Sequence, residues 1–179
     1  MKVLVGVCVL AAGPALAQTA AAPATPPPPA CATPEHGQFD FWVGEWDVFP
    51  TGKDKQVAHS TVERLYNGCA VRENWKPFNG QPGGSLNAWR AESRGWKQAW
   101  IGSDGQWVEF TGGRTGSAMV LEGRWPNVLG AGKDGTVRMT YTPAADGAVR
   151  QFGEVSDDGK TWKPLFDFVY RRRAQPPPP

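Results

Sequence analysis

From Phe39 onward, apolar and polar residues alternate in short runs cut by Gly, Asn and Asp. Cys69, Val71, Glu73 and Trp75 share one parity in one run. Trp96, Gln98 and Trp100 share one in another, and Ser85, Asn87 and Trp89 in a third. A period of two places alternate side chains on opposite faces of a strand. The runs predict strands at Gly44 to Phe49, Val57 to Tyr66, Cys69 to Phe78, Ser85 to Glu92 and Trp96 to Gly102. Five more follow at Trp107 to Thr111, Ser117 to Trp125, Thr136 to Thr142, Ala148 to Ser156 and Leu165 to Arg172. A helical turn at Gln38 to Val43 would lead into the first. The breaks Asn67-Gly68, Asp104-Gly105, Asp146-Gly147 and Asp158-Gly159 are dipeptides that supply the positive φ of tight turns. Gly112-Gly113 and Gly83-Gly84-Ser85 are expected to be hairpin loops. About ten strands in direct succession, with no helical-period segment between them, predict an all-β fold. An up-and-down antiparallel meander removes its exposed edges by closing into a β-barrel, and a two-sheet sandwich is the alternative.

Composition adds a clue about the interior. The chain holds 9 Trp, 8 Phe and 3 Tyr, and a small barrel uses such bulky residues to fill its inside. If the shared parities are inner faces, Glu73, Asn87 and Gln98 are polar groups among aromatics. Each would cost about 2 kcal/mol or more without a partner, so each must meet a neighbour, water or a ligand. A mostly apolar cavity with a few converging polar groups suits a small-molecule ligand. The candidate ligand-binding set is Trp46, Trp75, Trp89, Trp96 and Trp100 as walls, with Glu73, Asn87 and Gln98 for orientation. Arg138 and Gln151, on neighbouring late strands, could reach inward to pair with Glu73 or an anionic ligand. Asp40, Glu45 and Asp47 are read as capping or ion-pairing residues.

The ends differ in character. Residues 1–17 carry Lys2, the apolar run Val3 to Ala12 and Ala15-Leu16-Ala17, the pattern of a secretory signal peptide. The run is too short to span a membrane, and no later stretch is long and apolar enough to do so. Residues 18–34 form an Ala/Pro-rich spacer, residues 35–173 the barrel domain, and residues 174–179 a Pro-rich tail. These features predict a periplasmic or secreted protein. Cys8 falls in the leader, so Cys31 and Cys69 are left to form one disulfide in an oxidising compartment. Neither has a Cys or His at metal-ligand spacing, so no metal site is expected. The formal charge is +2, and loss of Lys2 with the leader lowers it by one, which gives no electrostatic case for nucleic acid. Arg171-Arg172-Arg173 reads as a solvated strand end. Phosphate-loop, His-x-x-x-His and Gly-x-Ser-x-Gly patterns are missing from the sequence.

The segment Phe39-Asp40-Phe41-Trp42-Val43-Gly44-Glu45-Trp46-Asp47-Val48 resembles the opening signature of a group of bacterial exported proteins. Asn67-Gly68-Cys69 with Glu73-Asn74-Trp75, Trp96-Lys97-Gln98-Ala99-Trp100, and Val149-Arg150-Gln151 followed by Ser156 to Trp162 fit the same pattern. The Phe-x-x-Gly-x-Trp opening and the strand count are also similar to nitrobindin-like barrels of the lipocalin group. That resemblance implies a ten-stranded barrel with an internal cavity and carries no biochemical function. Nitrobindins hold haem through a late histidine, and Leu165 to Tyr170 has none, so haem is disfavoured and no cofactor is expected. His36 and His59 are read as surface or edge residues. Ser156 to Trp162 is similar to a sialidase Asp-box but one residue short and unrepeated, so it is read as a hairpin turn over Trp162.

Three functions fit this reading. The first is a lipocalin-like barrel binding a small, largely apolar ligand. The second is a barrel enzyme, an isomerase, cyclase or hydrolase, with Glu73 as general acid or base. The third is a solidly packed envelope interaction module.

Overall fold

The structure, a computed structural model, describes residues 30–174. The signal-peptide expectation and most of the spacer and tail lie outside the described residues. Ten strands follow in order: β1 (Gly44–Pro50), β2 (Ala58–Leu65), β3 (Ala70–Pro77), β4 (Gly83–Arg90) and β5 (Gly95–Gly102). Then come β6 (Trp107–Thr115), β7 (Ala118–Trp125), β8 (Gly135–Pro143), β9 (Val149–Ser156) and β10 (Lys163–Arg172). Each pairs antiparallel with its neighbour in the chain, and β1 pairs with β10 to close the barrel. The fold is the expected all-β, up-and-down closed barrel, and the sandwich alternative is set aside.

Alternation accounts for the inside and the outside. On β8, Val137, Met139 and Tyr141 are buried, while Thr136, Arg138 and Thr140 between them are only partly covered. The turn dipeptides behave as their chemistry demands, with φ of +83° at Gly105, +81° at Gly147 and +69° at Gly159. In the last of these turns Asp158 Oδ1 accepts from the Lys160 and Thr161 amides at 2.8 and 2.7 Å.

Two glycine pairs correct the sequence reading. Gly112 and Gly113 lie inside β6 rather than in a loop, and the chain turns later, at Gly116. Gly112 is there for clearance, since a Cβ at that position would run into the Val120 carbonyl of β7. Gly83 and Gly84 likewise begin β4, and a Cβ on Gly83 would come within 2.7 Å of the Trp100 ring.

One end of the barrel is plugged. The segment before β1 makes two 3₁₀ turns, Pro34–Gly37 and Asp40–Trp42, and drives Phe39 and Trp42 into the interior, where both are fully buried. Phe39 stacks on Trp42 at 4.9 Å and meets Trp96 and Tyr141 edge-on at 5.6 and 5.1 Å. Burying one such ring removes about 150–250 Å² from water, worth about 4–6 kcal/mol before entropy is counted. The plug is tied down on several sides. The Cys31–Cys69 disulfide joins it to the residue preceding β3. Arg64 pairs with Asp40 at 2.5 Å, and Arg114 Nη1 donates to the Gln38 carbonyl at 3.0 Å. No helix among the described residues is long and apolar enough to cross a membrane.

Candidate functional site, an aromatic cavity over a polar floor

Toward the other end the interior is not filled. A cavity of about 170 Å³ opens there, with Trp75, Trp100, Trp125, Phe166 and Phe168 as its aromatic walls. A β-bulge shapes this rim. The register between β9 and β10 shifts at Pro164/Phe166, leaving Leu165 unpaired and bringing Phe166 opposite Gly153. Gly153 leaves room for that ring, since an added Cβ would come within 2.5 Å of Phe166 Cε1.

Beneath the walls lies a layer of hydrogen-bonded polar side chains carried by seven strands. Ser60 Oγ donates to Glu73 Oε1 at 2.9 Å, and the Tyr170 hydroxyl stands 3.1 Å from the same oxygen. Tyr170 also reaches Gln151 Oε1 at 2.7 Å, and Gln151 Nε2 donates to the Tyr141 hydroxyl at 3.0 Å. Gln98 Nε2 donates to Asn87 Oδ1 at 2.6 Å and lies 3.4 Å from Tyr141. Asn87 Nδ2 in turn donates to the Val71 carbonyl at 2.9 Å and to Ser85 Oγ at 3.0 Å.

The Val71 carbonyl can only accept, and that sets the sense of the far end of the chain. Asn87 must present its NH₂ to Val71 and its oxygen to Gln98, so Gln98 must turn its NH₂ toward Asn87. Gln98 Oε1 is therefore left over. Among the described residues nothing bonds it or Glu73 Oε2, yet neither is among the fully enclosed unpartnered atoms. Both residues line the cavity, so these two oxygens are its unsatisfied acceptors.

Burial pushes the Glu73 carboxyl up from 4.5 to about 7, against the pull of its Ser60 and Tyr170 hydrogen bonds. With the Gln151 amide turned this way, its oxygen to Tyr170, the proton count agrees. Tyr170 has one hydroxyl hydrogen and two oxygens in reach, and the shorter contact, to Gln151, takes it. The Glu73 contact is then a hydrogen bond only when Glu73 itself carries the proton. Burial raises the Tyr141 and Tyr170 phenols as well, and the nearby Glu73 charge adds to both effects.

The residues expected from the sequence fall into three places. Glu73, Trp75, Gln98, Trp100 and Gln151 line the cavity, and Asn87 holds Gln98 from behind. Trp46 and Trp96 belong to the packed core at the plugged end, with Trp46 donating to the Trp42 carbonyl at 2.9 Å, and the partly buried Trp89 packs against that core beside Trp96. Arg138 is a correction, because it points outward. It pairs with Glu122 at 2.6 Å and lies 3.8 Å over the Trp162 ring. Its neighbours Val137 and Met139 take the inner face, and strand alternation leaves Arg138 the outer one. Of the acidic residues in the opening signature, Asp40 pairs with Arg64, and Asp47 lies 4.0 Å from the Arg173 guanidinium and 2.8 Å from the His59 ring nitrogen.

Sequence reasoning missed Phe110, Trp125, Met139, Tyr141, Phe166, Phe168 and Tyr170 as cavity residues. The alternation Val137-x-Met139-x-Tyr141 carried a signal for two of them. Phe166-x-Phe168-x-Tyr170 carried the same signal on β10, where the register runs unbroken after the bulge. No protein-family model and no curated protein matches this sequence.

Proposed function

We propose that this protein is an exported, lipocalin-like barrel that binds a small, largely apolar molecule in its interior. The observation that carries the reading is the aromatic-walled cavity of about 170 Å³ with two free oxygen acceptors at its floor. An engineered cavity of about 150 Å³ lined by apolar residues takes up benzene, so the volume suits a molecule built on one ring. The Cys31–Cys69 disulfide supports placement in an oxidising compartment, periplasmic or extracellular. Membership of the exported barrel group with the Phe39-to-Val48 signature, and a more distant nitrobindin kinship, belong to the same proposal. An open cavity of this kind argues against a solidly packed interaction module.

Native mass spectrometry of protein purified from its own compartment tests the reading, with denaturation to release any bound molecule. A stoichiometric small molecule is the expected result. Its absence, together with no tryptophan-fluorescence response to a lipophilic and aromatic library, would overturn it.

A second reading is favoured by one observation, a buried carboxyl, Glu73, lining the cavity, whose burial pushes it up to about 7, where a group can both give and take a proton. In a barrel enzyme of that type, Glu73→Gln abolishes turnover and leaves ligand affinity intact.

A further inference from the structure

Resting on the ligand-binding reading, we propose that the cavity selects small hydrophobic amines, bound as ammonium ions to Glu73 Oε2 and Gln98 Oε1 beneath the aromatic walls. The argument starts from what the cavity leaves unsatisfied. Both free oxygens are acceptors, so the matching ligand group presents N–H or O–H donors. The lining contains one carboxyl group and no Lys, Arg or His. A carboxylate ligand, such as a fatty acid, would enter with no cation to meet it and a buried acid to repel it. An ammonium meets the reverse conditions. It has three donors, an acid to pair with, and the faces of Trp75, Trp100 and Phe168 around its carbon skeleton.

The polar layer can also accommodate the charge that pairing requires. As it stands, Gln151 Oε1 accepts from Tyr170 and Gln151 Nε2 donates to Tyr141. A half-turn of that amide reverses both bonds and gives up only the long contact of Gln151 Nε2 with the Met139 sulfur at 3.6 Å. Tyr170 is then free to donate to an ionised Glu73, and Tyr141, whose only acceptor among the described residues is the Met139 sulfur at 3.6 Å, gains the Gln151 oxygen. The free acceptors Glu73 Oε2 and Gln98 Oε1 are unchanged by the reversal. No atom of the network is stranded in either charge state, so the floor can switch from a neutral acid to a carboxylate when a cation arrives. The proton lost from Glu73 leaves to solvent through the open mouth.

The test uses four matched probes on the disulfide-intact protein, namely 2-phenylethylamine, 2-phenylethanol, 3-phenylpropanoate and toluene. Isothermal titration calorimetry is run from pH 5.5 to 8.5. The expected result is that the amine binds at pH 8 at least about tenfold more tightly than the alcohol, while the acid does not bind. Amine affinity should fall by about tenfold per pH unit below the Glu73 midpoint, with one proton released per amine bound, while alcohol affinity stays level. Glu73→Gln should remove the amine preference and keep the alcohol. The pH series on the unaltered protein decides the matter even if that variant folds poorly. Equal binding of alcohol and amine, or binding of the acid, would overturn the amine proposal and leave the binding reading standing. No binding of any probe, toluene included, would defeat the binding reading itself.

Discussion

The two ends of this barrel are built from the same residue types and do opposite things. At the plugged end Phe39, Trp42, Trp46 and Trp96 interlock, each at most 2 % exposed. At the open end Trp75, Trp100, Trp125, Phe166 and Phe168 stand around empty space and are only partly buried. Nothing in the chemistry of a tryptophan separates the two groups. What separates them is whether another segment reaches in to fill the volume between the walls, as residues 39–42 do at one end. The polar layer of Glu73, Tyr170, Gln151, Tyr141, Gln98 and Asn87 divides the regions, and its unsatisfied oxygens belong to the empty side. Packing carries stability at one end, and its absence creates a binding volume at the other.

The sharpest way to break this comparison is to remove one tryptophan from each end. Trp42→Ala should cost about 3–5 kcal/mol in urea unfolding, the range for a large aromatic deleted from a filled core. Trp100→Ala should cost no more than about 1–2 kcal/mol, because its ring is only partly buried and borders the cavity, and should weaken ligand binding by about tenfold or more. Similar stability losses from the two variants would show that the mouth is packed like the plug.

A smaller effect probes the dividing layer. Below 4.5 Glu73 is protonated in both the folded and the unfolded chain. Between 4.5 and about 7 the unfolded chain has lost a proton that the folded chain keeps, so rising pH favours unfolding. The contribution is fully present below 4.5 and is lost by about pH 7. Glu73→Gln removes this dependence. Its stability relative to the parent should rise by about 3 kcal/mol between pH 4.5 and 7 and stay level above. A difference that does not change with pH, measured by urea titration at several pH values, would mean that Glu73 is charged in the folded protein.

The smallest effect belongs outside the barrel. Arg138→Ala removes a guanidinium stacked on Trp162 and a half-exposed ion pair with Glu122. It should cost less than about 1.5 kcal/mol and leave ligand affinity unchanged. Loss of affinity would put Arg138 in contact with the interior after all.

These comparisons also show what could be read from the residues. The ten strands were legible because alternation and Asp-Gly turns are local, carried within a few residues of one another. That Glu73, Asn87 and Gln98 share a face with tryptophans was legible for the same reason, but that this face is the inner one was not. Height along the barrel was not. Trp96 and Trp100 share a face of β5, but one belongs to the plug and the other to the mouth. That assignment depends on how far each strand is offset from its neighbours and on where Phe39 and Trp42 insert. Gly112 was misread because its purpose, clearance for the Val120 carbonyl, lies on another strand. Arg138 was misread although the local alternation Val137-x-Met139-x-Tyr141 already puts it on the opposite face of β8.

The β1–β10 seam bears on the order in which the chain assembles. Every other neighbouring pair is consecutive in sequence, whereas the seam joins Trp46 to Arg172 and Val48 to Tyr170. Bringing such distant segments together costs about 3 kcal/mol more in loop-closure entropy than forming a short hairpin. Hairpins can therefore form one after another while the sheet is still open, with the edges of β1 and β10 unpaired. Arg172 holds the finished joint, lying 4.2 Å over the Trp46 ring and donating to the Val43 carbonyl at 2.7 Å. The residues at that one seam, rather than those at the nine hairpin junctions, govern how long the nascent protein exposes edges on which another chain could add a strand.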